Sequence, residues 1–532
     1  MDFLIINGTF PPPEPGASSR PDAAVAISGD RISHVGPTAG LLPLAAPQTR
    51  VIDAQDRLLL PGFNDAHVHF LDGGFSLANL DLRPAATPAD FTRRVADFAR
   101  RVPLGKWITG GEWDHEQWPG APLPTRQMVD DVTPRNPVFL TRSDGHCALA
   151  NTVALKLAGI TRSSANPPGG TIVRDPVTGE PTGLLKDAAM NAIYRILPVP
   201  DRAEKLAAAR RATDYAAQLG VTSVQDVLGG DDAEIYRALA ETGALKTRVY
   251  AMHPIAQWEK VAAQPQRPQG GGRLVRLGAV KGFSDGSLGS RTAWFFEPYR
   301  DDPANCGLPG EQMFPEGAML RRALEADRAG LQVAIHAIGD RANFAMLNLF
   351  ESVARQNGGD RRFRIEHAQH LRVADIPRFG RQHVIASVQP YHAADDGRWC
   401  APCLGPERLA GTYAFRSLLD AGATLALGTD WTVAPLNPLL TLAAAVTRQT
   451  LDGKHPGGWL PGQKITLAEA VRAYTFGSAF AEFTEQYKGV IAPGYLADLI
   501  LLDKNLFEIP PEDIPTARVT LTMMDGRVVW EA

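Results

Sequence analysis

Cysteine is scarce in this chain, long apolar runs are missing, and neither sign of charge dominates; each shortage removes a class of protein. Four cysteines in 532 residues (Cys147, Cys306, Cys400 and Cys403) are too few to make a disulfide framework. Cys400 and Cys403 form a C-x-x-C, but no second pair stands at zinc-ribbon spacing, and GRWCAPCLGPER reads as a loop incidental to catalysis. No uninterrupted apolar stretch approaches the roughly 20 residues of a membrane span. The start, MDFLIINGTF, has neither the basic n-region nor the small-residue cleavage site of a secretory signal. A soluble, cytoplasmic protein is therefore expected. The 54 basic and 58 acidic residues leave a net charge of -4, with no Lys/Arg cluster that would mark a nucleic-acid footprint. No repeat and no low-complexity tract occurs. The expected partner is a small molecule, neither nucleic acid nor membrane.

What is there is ordinary for a globular protein: 44% hydrophobic and 21% charged residues, enough for a large core. The 50 glycines and 42 prolines exceed the usual ~7% and ~5%, which points to many turns and long loops. The length calls for two or three structural units. Residues 3 to 60 alternate short β-like runs with Gly/Pro/Asp turns, the pattern of a small antiparallel sheet. YLADLILLD, RVTLTMMDG and RVVWEA repeat that pattern at the other end, so residues 1–60 and 485–532 are expected to build one β-domain together.

Between them, eight apolar strand-like runs are each followed by polar residues: PGFNDAHVHF, GVTSVQDV, TRVYAMH, LVRLGAVKGFSDG, LQVAIHAIGD, RFRIEHAQ, VIASVQP and ATLALGTD. Amphipathic stretches such as RAEKLAAARRATDYAAQLG fill most gaps, and MLRRALEADRAG ends on the helix-stop Gly330. Eight strand-helix units with polar strand C-termini are what an α/β, (β/α)8 TIM-type barrel over residues 61–484 requires, because its active site lies at that end. About 150 residues separate His69 from the second strand, far more than a loop and a helix, so 71–200 should form an insertion or lid after the first barrel strand.

The first run ends in His67 and His69. In a strand, alternate side chains share a face, so an H-x-H projects two imidazoles into one space, a chelating geometry. Other strand C-termini carry Lys281, His336, His367 and Asp430. Four imidazoles and a carboxylate at one barrel mouth supply the N and O donors that Zn²⁺ takes. A lysine ammonium has no lone pair and repels a cation. It fits only if modified, or if it pairs with a carboxylate such as Asp285 beside a single metal ion.

The stretches LPGFNDAHVHF, VKGFSDGSLGSRTAW, IHAIGDRA, RIEHAQHL, LGTDWTVAPLNPL and GVIAPGYLADLILLD, in this order, resemble the amidohydrolase superfamily, and within it the YtcJ-like, N-substituted formamide deformylase-like branch. The resemblance implies a metal-dependent hydrolase barrel with a composite β-sandwich from both termini. It implies His67 and His69 as first-strand ligands, His336 and His367 as fifth- and sixth-strand ligands, and Asp430 as the eighth-strand carboxylate. Lys281 falls where two-metal relatives carry a carboxylated lysine bridging two ions, here expected to be zinc. The implied activity is hydrolysis of a C–N bond in a non-peptidic amide, N-substituted formamide or related N-acyl compound by metal-activated hydroxide, with Asp430 moving the proton. Trp113, His146 and Arg291 lie in matching stretches and are expected to bind substrate. Tryptophans at 107, 113, 118, 294, 399 and 431 suggest an aromatic or bulky apolar group on it. His370, His383 and His392 are expected to be ordinary or merely close to substrate. A homodimer is the habit of related folds. A deaminase, a decarboxylase on the same site and a catalytically silent binding or regulatory protein remain as alternatives, although HAIG at 336 and the presence of Lys281 disfavour deamination.

Overall fold

The computed structural model describes residues 1–12, 18–230, 232–263 and 274–532. Eight strands form its central sheet: β1 (Phe63–Val68), β2 (Val221–Val227), β3 (Arg248–Pro254), β4 (Val275–Phe283), β5 (Gln332–Ala337), β6 (Arg364–His367), β7 (Ile385–Val388) and β8 (Leu425–Leu427). Each pairs in parallel with the next in chain order. All eight expected runs are therefore strands, and the fold is the α/β barrel. Apart from the partly buried ends of β4, burial is near-continuous along these strands, the signature of a parallel sheet covered on both faces.

The ring closes between β1 and the segment that follows β8. The Asp430 N–H donates to the His67 carbonyl at 2.7 Å and the His69 N–H to the Trp431 carbonyl at 2.6 Å, with a parallel bridge between Val68 and Trp431. Only a residue without Cβ permits this approach at Gly428, where a methyl would lie 2.6 Å from the His67 nitrogen.

His69 departs from the strand expectation. β1 stops at Val68, and His69 precedes a short helix, α1 (Phe70–Ser76), with φ -106° and ψ 73°. That helix packs on α2 (Arg202–Gln218), which begins with an Asp201–Glu204 capping box. Gly74 makes the packing possible, since a Cβ there would stand 2.1 Å from the Ala208 carbonyl oxygen.

Six strands between Leu80 and Asp187 form the sheet of the insertion, including the antiparallel hairpin Gly170–Arg174 and Pro181–Asp187. It has apolar clusters of its own, one around Phe91, Trp113, Trp118 and Leu140 and another around Phe139, Leu155, Ile172 and Ile193. The two chain ends share an eight-stranded sheet, in which Leu499–Leu502 pairs antiparallel with Leu58–Pro61. This sheet is mixed rather than antiparallel as expected: Phe3–Phe10 pairs in parallel with Arg50–Asp53, because the chain crosses over through 38–49 instead of turning back in a hairpin. Cys400 and Cys403 lie in a short helix, Cys400–Leu404, not a loop. Both are buried, and burial pushes the Cys403 thiol up to about 12 and that of Cys400 well above its ordinary value, so neither is an activated thiolate.

The α1–α2 contact carries the first prediction. Gly74→Val forces backbone against backbone and should destabilise the protein by about 1–3 kcal/mol, as overpacking does elsewhere; a urea-unfolding midpoint equal to wild type would reject this account.

Candidate metal centre

His67, His69, Lys281, His336, His367 and Asp430 all line one cavity of about 470 Å³ at the C-terminal mouth of the barrel. Donor atoms of His67, His367 and Asp430 lie within 4.8 Å of one another. Asp430 Oδ1 stands 3.5 Å from His67 Nε2 and 3.3 Å from His69 Nε2. His336 joins through its ring, 4.6 Å from that of His367.

Three of these imidazoles are tethered through one nitrogen and free at the other. His67 Nδ1–H donates to Glu366 Oε2 at 2.6 Å, His367 Nδ1–H to Gln389 Oε1 at 2.8 Å, and His336 Nε2–H to the Gly286 carbonyl at 2.9 Å. The remaining nitrogen of each then carries a lone pair, the state a metal ligand needs. Burial favours it further: His67 is brought down to about 4, His336 is lowered and His367 falls well below the usual range. For His69 burial is outweighed by the adjacent Asp430 carboxylate, and its pKa rises. Burial also opposes ionisation of Asp430, but the surrounding imidazoles hold it well below the usual carboxylate range.

Lys281 Nζ is buried and makes no hydrogen bond; it sits 3.8 Å from the centre of the Phe283 ring. Burial lowers its pKa to about 8 against the opposing charges of Glu366 and Asp430. Asp285 is not its partner. That carboxylate is taken up by the backbone N–H groups of Ile338 (3.0 Å), Gly339 (2.8 Å) and Trp294 (2.8 Å), which excludes the simple Lys281–Asp285 pair. Tethered imidazoles and an ionised carboxylate together fit a divalent-metal site.

Two of these residues hold unusual backbone. His367 has φ +75° and Asp430 φ +58°, a left-handed conformation that non-glycine residues seldom adopt and that clusters at functional sites.

Residues 50–530 match the profile of the amidohydrolase family. The chain belongs to that family. Among its relatives, Protein LONG AFTER FAR-RED 3 of Arabidopsis thaliana is 40% identical over 99% of this chain and 91% of its own length. Putative amidohydrolase YtcJ of Bacillus subtilis (strain 168) is 32% identical over 91% of each chain. The N-substituted formamide deformylase of Arthrobacter pascens is 28% identical over 100% of this chain and 98% of its own. Among solved structures, an uncharacterised metal-dependent hydrolase from Pyrococcus furiosus superposes with TM-score 0.72 at 28% identity, covering 94% of this chain and 99% of that one. The amidohydrolase is thus a metal-dependent hydrolase of carbon–nitrogen bonds. No helix among its described residues is long and apolar enough to cross a membrane.

Of the three residues expected to touch substrate, one faces the cavity of the amidohydrolase. His146 lines it, 5.1 Å ring to ring from His336, and its Nδ1–H donates to Asp187 Oδ1 at 2.7 Å. Trp113 does not: its ring is fully buried in the insertion, with the indole N–H on the Leu140 carbonyl at 2.8 Å. It packs instead in the insertion's own apolar cluster. Arg291 is spent on Asp301 (2.7 Å) and Glu116 (3.3 Å) and lies 5.4 Å from the Trp399 ring centre. Trp399 is the one tryptophan among the cavity walls. The helix after β7, Pro390–Asp396, adds His392, Asp395 and Asp396 to those walls. His392 stands closer to the centre than expected, with Nε2 buried, without a hydrogen bond and 4.0 Å from Asp430 Oδ2. Its signal in the sequence is a histidine two residues into the helix that Pro390 opens just after a barrel strand. Glu366 was readable in the same way, as a carboxylate beside His367 in a strand that is otherwise barrel wall.

One guanidinium ties the insertion to this mouth. Arg142 pairs with Asp114 (2.8 Å) and Asp144 (2.7 Å), and Asp144 accepts from the hydroxyls of Ser287 (2.5 Å) and Ser290 (2.9 Å) on the loop after β4. Arg398, on the far rim, reaches Asp114 at 3.0 Å. Removing the cation leaves buried Asp114 to Arg398 alone and half-buried Asp144 to its two serine hydroxyls, with no cation of its own. Arg142→Met should therefore destabilise the protein by about 3–5 kcal/mol, with proteolytic nicking appearing within 71–200 before the barrel unfolds; nicking no faster than in wild type would contradict this.

Proposed function

We propose that the protein hydrolyses a non-peptidic amide, an N-substituted formamide or a related N-acyl small molecule with two zinc ions held by His67, His69, His336, His367 and Asp430 and bridged by Lys281 as its carbamate. The observation that carries the reading is the buried, partnerless Lys281 Nζ beside imidazoles whose second nitrogens are already tethered. An amine with its pKa brought down to about 8 is partly neutral at physiological pH, and neutral amine reacts with carbon dioxide, releasing a proton and leaving an anionic carbamate. That product answers the objection that an ammonium repels cations.

When bound, the ions supply Lewis acidity, polarising the scissile carbonyl and making a water nucleophile available at neutral pH. The rest of the work falls to side chains. Asp430, ionised and facing the cavity, accepts the proton of the attacking water and passes it to the leaving nitrogen, so that an amine and a carboxylate (formate, from a formamide) depart. His146, held by Asp187 on the cavity wall, is placed to hydrogen-bond the substrate. Trp399 offers a flat apolar face for an aromatic group. The similarity to a named N-substituted formamide deformylase over the full chain supports this substrate class.

Residues 1–60 with 485–532 are assigned to a composite β-sandwich, 61–484 to the barrel and 71–200 to its insertion; the insertion's own cluster and the one shared by Ile5, Leu59 and Leu499 support this, while Leu58, Leu60, Ile500 and Leu502 pack the sandwich onto the barrel. Four unpaired cysteines are in keeping with a cytoplasmic location.

Elemental analysis of protein purified without chelator and supplied with bicarbonate should find about two zinc ions per chain, falling to one or fewer in Lys281→Ala. One ion in both proteins would sink the carbamate bridge, and none would favour a silent binding protein. With a panel of N-substituted formamides and N-acyl amines, release of amine without carbon dioxide should separate hydrolysis from decarboxylation. Asp430→Asn should lower kcat by about 10²–10⁴; turnover near wild type would reject its proton-transfer role.

A further inference from the structure

Behind His67, inside the barrel, lies the buried ion pair from which the tether of that ring comes. Arg364 and Glu366 are two residues apart on β6 and both are fully buried. Arg364 Nε stands 2.8 Å from Glu366 Oε1 as an ion pair not aligned for a hydrogen bond, and its Nη2–H donates to Glu366 Oε2 at 3.3 Å. The guanidinium also donates to the Ala66 carbonyl at 2.6 Å, to Ser387 Oγ at 3.3 Å and to Gln225 Oε1. It is thus held by β1, β2 and β7 as well as by its own strand. Glu366 Oε2 in turn accepts from His67 Nδ1 at 2.6 Å. Burial opposes an ionised Glu366, but Arg364 and then His67 bring its pKa to about 2.

Adjacent residues of a strand ordinarily face opposite sides. Here Glu366 points inward, and the left-handed backbone of His367 (φ +75°) and Ala368 (φ +43°) turns the next side chain to the cavity as well. β6 therefore offers one side chain to the space and, directly before it, another to the back of a ring that borders it.

We propose that Glu366, anchored by Arg364, is a positioning residue that locks His67 as its Nδ1–H tautomer and so sets the metal affinity of the site. The inference rests on the metal-centre reading given above. A carboxylate fixed by a guanidinium cannot rotate away, so the His67 ring has one orientation and one tautomer, with Nε2 as a lone-pair donor toward Asp430. Its negative charge also raises the basicity of that donor. Burying this ion pair carries a desolvation penalty that an apolar pair in the same volume would not incur, which is the pattern expected of a group kept for what it does to its neighbour.

The test is zinc binding by the full-length protein, measured by competition with a chromophoric chelator. Glu366→Gln should bind zinc about 10–100-fold more weakly than wild type. Because the variant leaves Arg364 unpaired and can fail to fold, the double variant Arg364→Met/Glu366→Gln is measured beside it, with the melting temperature of each metal-free protein. A double variant that melts like metal-free wild type yet keeps the weakened affinity supports positioning. Affinity restored in the double variant would reduce Glu366 to a structural role and overturn the proposal, as would unchanged affinity in Glu366→Gln. A second measurement needs no altered Glu366: ¹⁵N-histidine NMR of metal-free wild type, with His67 assigned by its loss in His67→Gln, should show the Nδ1–H tautomer, and the Nε2–H tautomer would refute the lock. Wild-type protein that binds no zinc while showing the Nδ1–H form would instead overturn the metal reading, and with it the affinity half of the proposal.

Discussion

The Asp65 carboxylate pins the first barrel strand to the turn after the eighth, and the reactive mouth is built on that pin. It accepts from the Thr429 N–H at 2.9 Å and the Thr429 hydroxyl at 2.8 Å, from the His67 N–H at 3.2 Å and from the Tyr474 hydroxyl at 2.7 Å. Burial pushes its pKa up to about 6, and these four donors restrain the rise. Because the bonded groups are His67 and the residue before Asp430, one carboxylate fixes the spacing between two ends of the chain's barrel and between two walls of the site. Gly428 completes the clasp by leaving room for the β1 backbone. An apolar side chain at position 65 could fill space, but it could not specify this register.

Charge inside this barrel is organised by depth. At the mouth, burial keeps His67 and His367 neutral beside an ionised Asp430, which raises the pKa of His69, and burial brings Lys281 down to about 8. One layer down, Glu366 and Arg364 offset each other's charge inside the ring, where other barrels carry branched apolar side chains. The low dielectric there makes each pairing strong and each missing partner expensive, so a partnerless Lys281 amine stands out against a surrounding in which nearly every charge is answered.

The insertion obeys different physics. Its apolar clusters are its own, and it meets the mouth through the polar hub of Arg142, Asp114, Asp144 and Arg398. Polar contacts of this kind are specific in geometry and leave the wall of the cavity chemically varied, which suits a surface that must recognise a substrate whose reacting atoms are handled elsewhere.

Period and punctuation in the chain were enough to read the eight strands, the helices between them and the donors at their ends. The reason is that parallel strands buried on both faces have little freedom of composition, and a histidine or lysine at such a strand end is visible against an apolar background. Backbone turns of one or two residues were not readable. His69 reaches the cavity from a helix entry rather than from strand alternation, and Glu366 and His367 share the site because a left-handed residue breaks that alternation. Trp113 and Arg291 show the complementary failure: a motif names a segment, whereas the direction of each side chain depends on what packs behind it. The chain's pattern of apolar runs and donors thus fixes the barrel and its metal-type chemistry, because both follow from local periodicity and residue type. Which nitrogen of each imidazole is free, which carboxylate backs it and which rim residues face the substrate arise from contacts hundreds of residues apart, and folding alone brings those together.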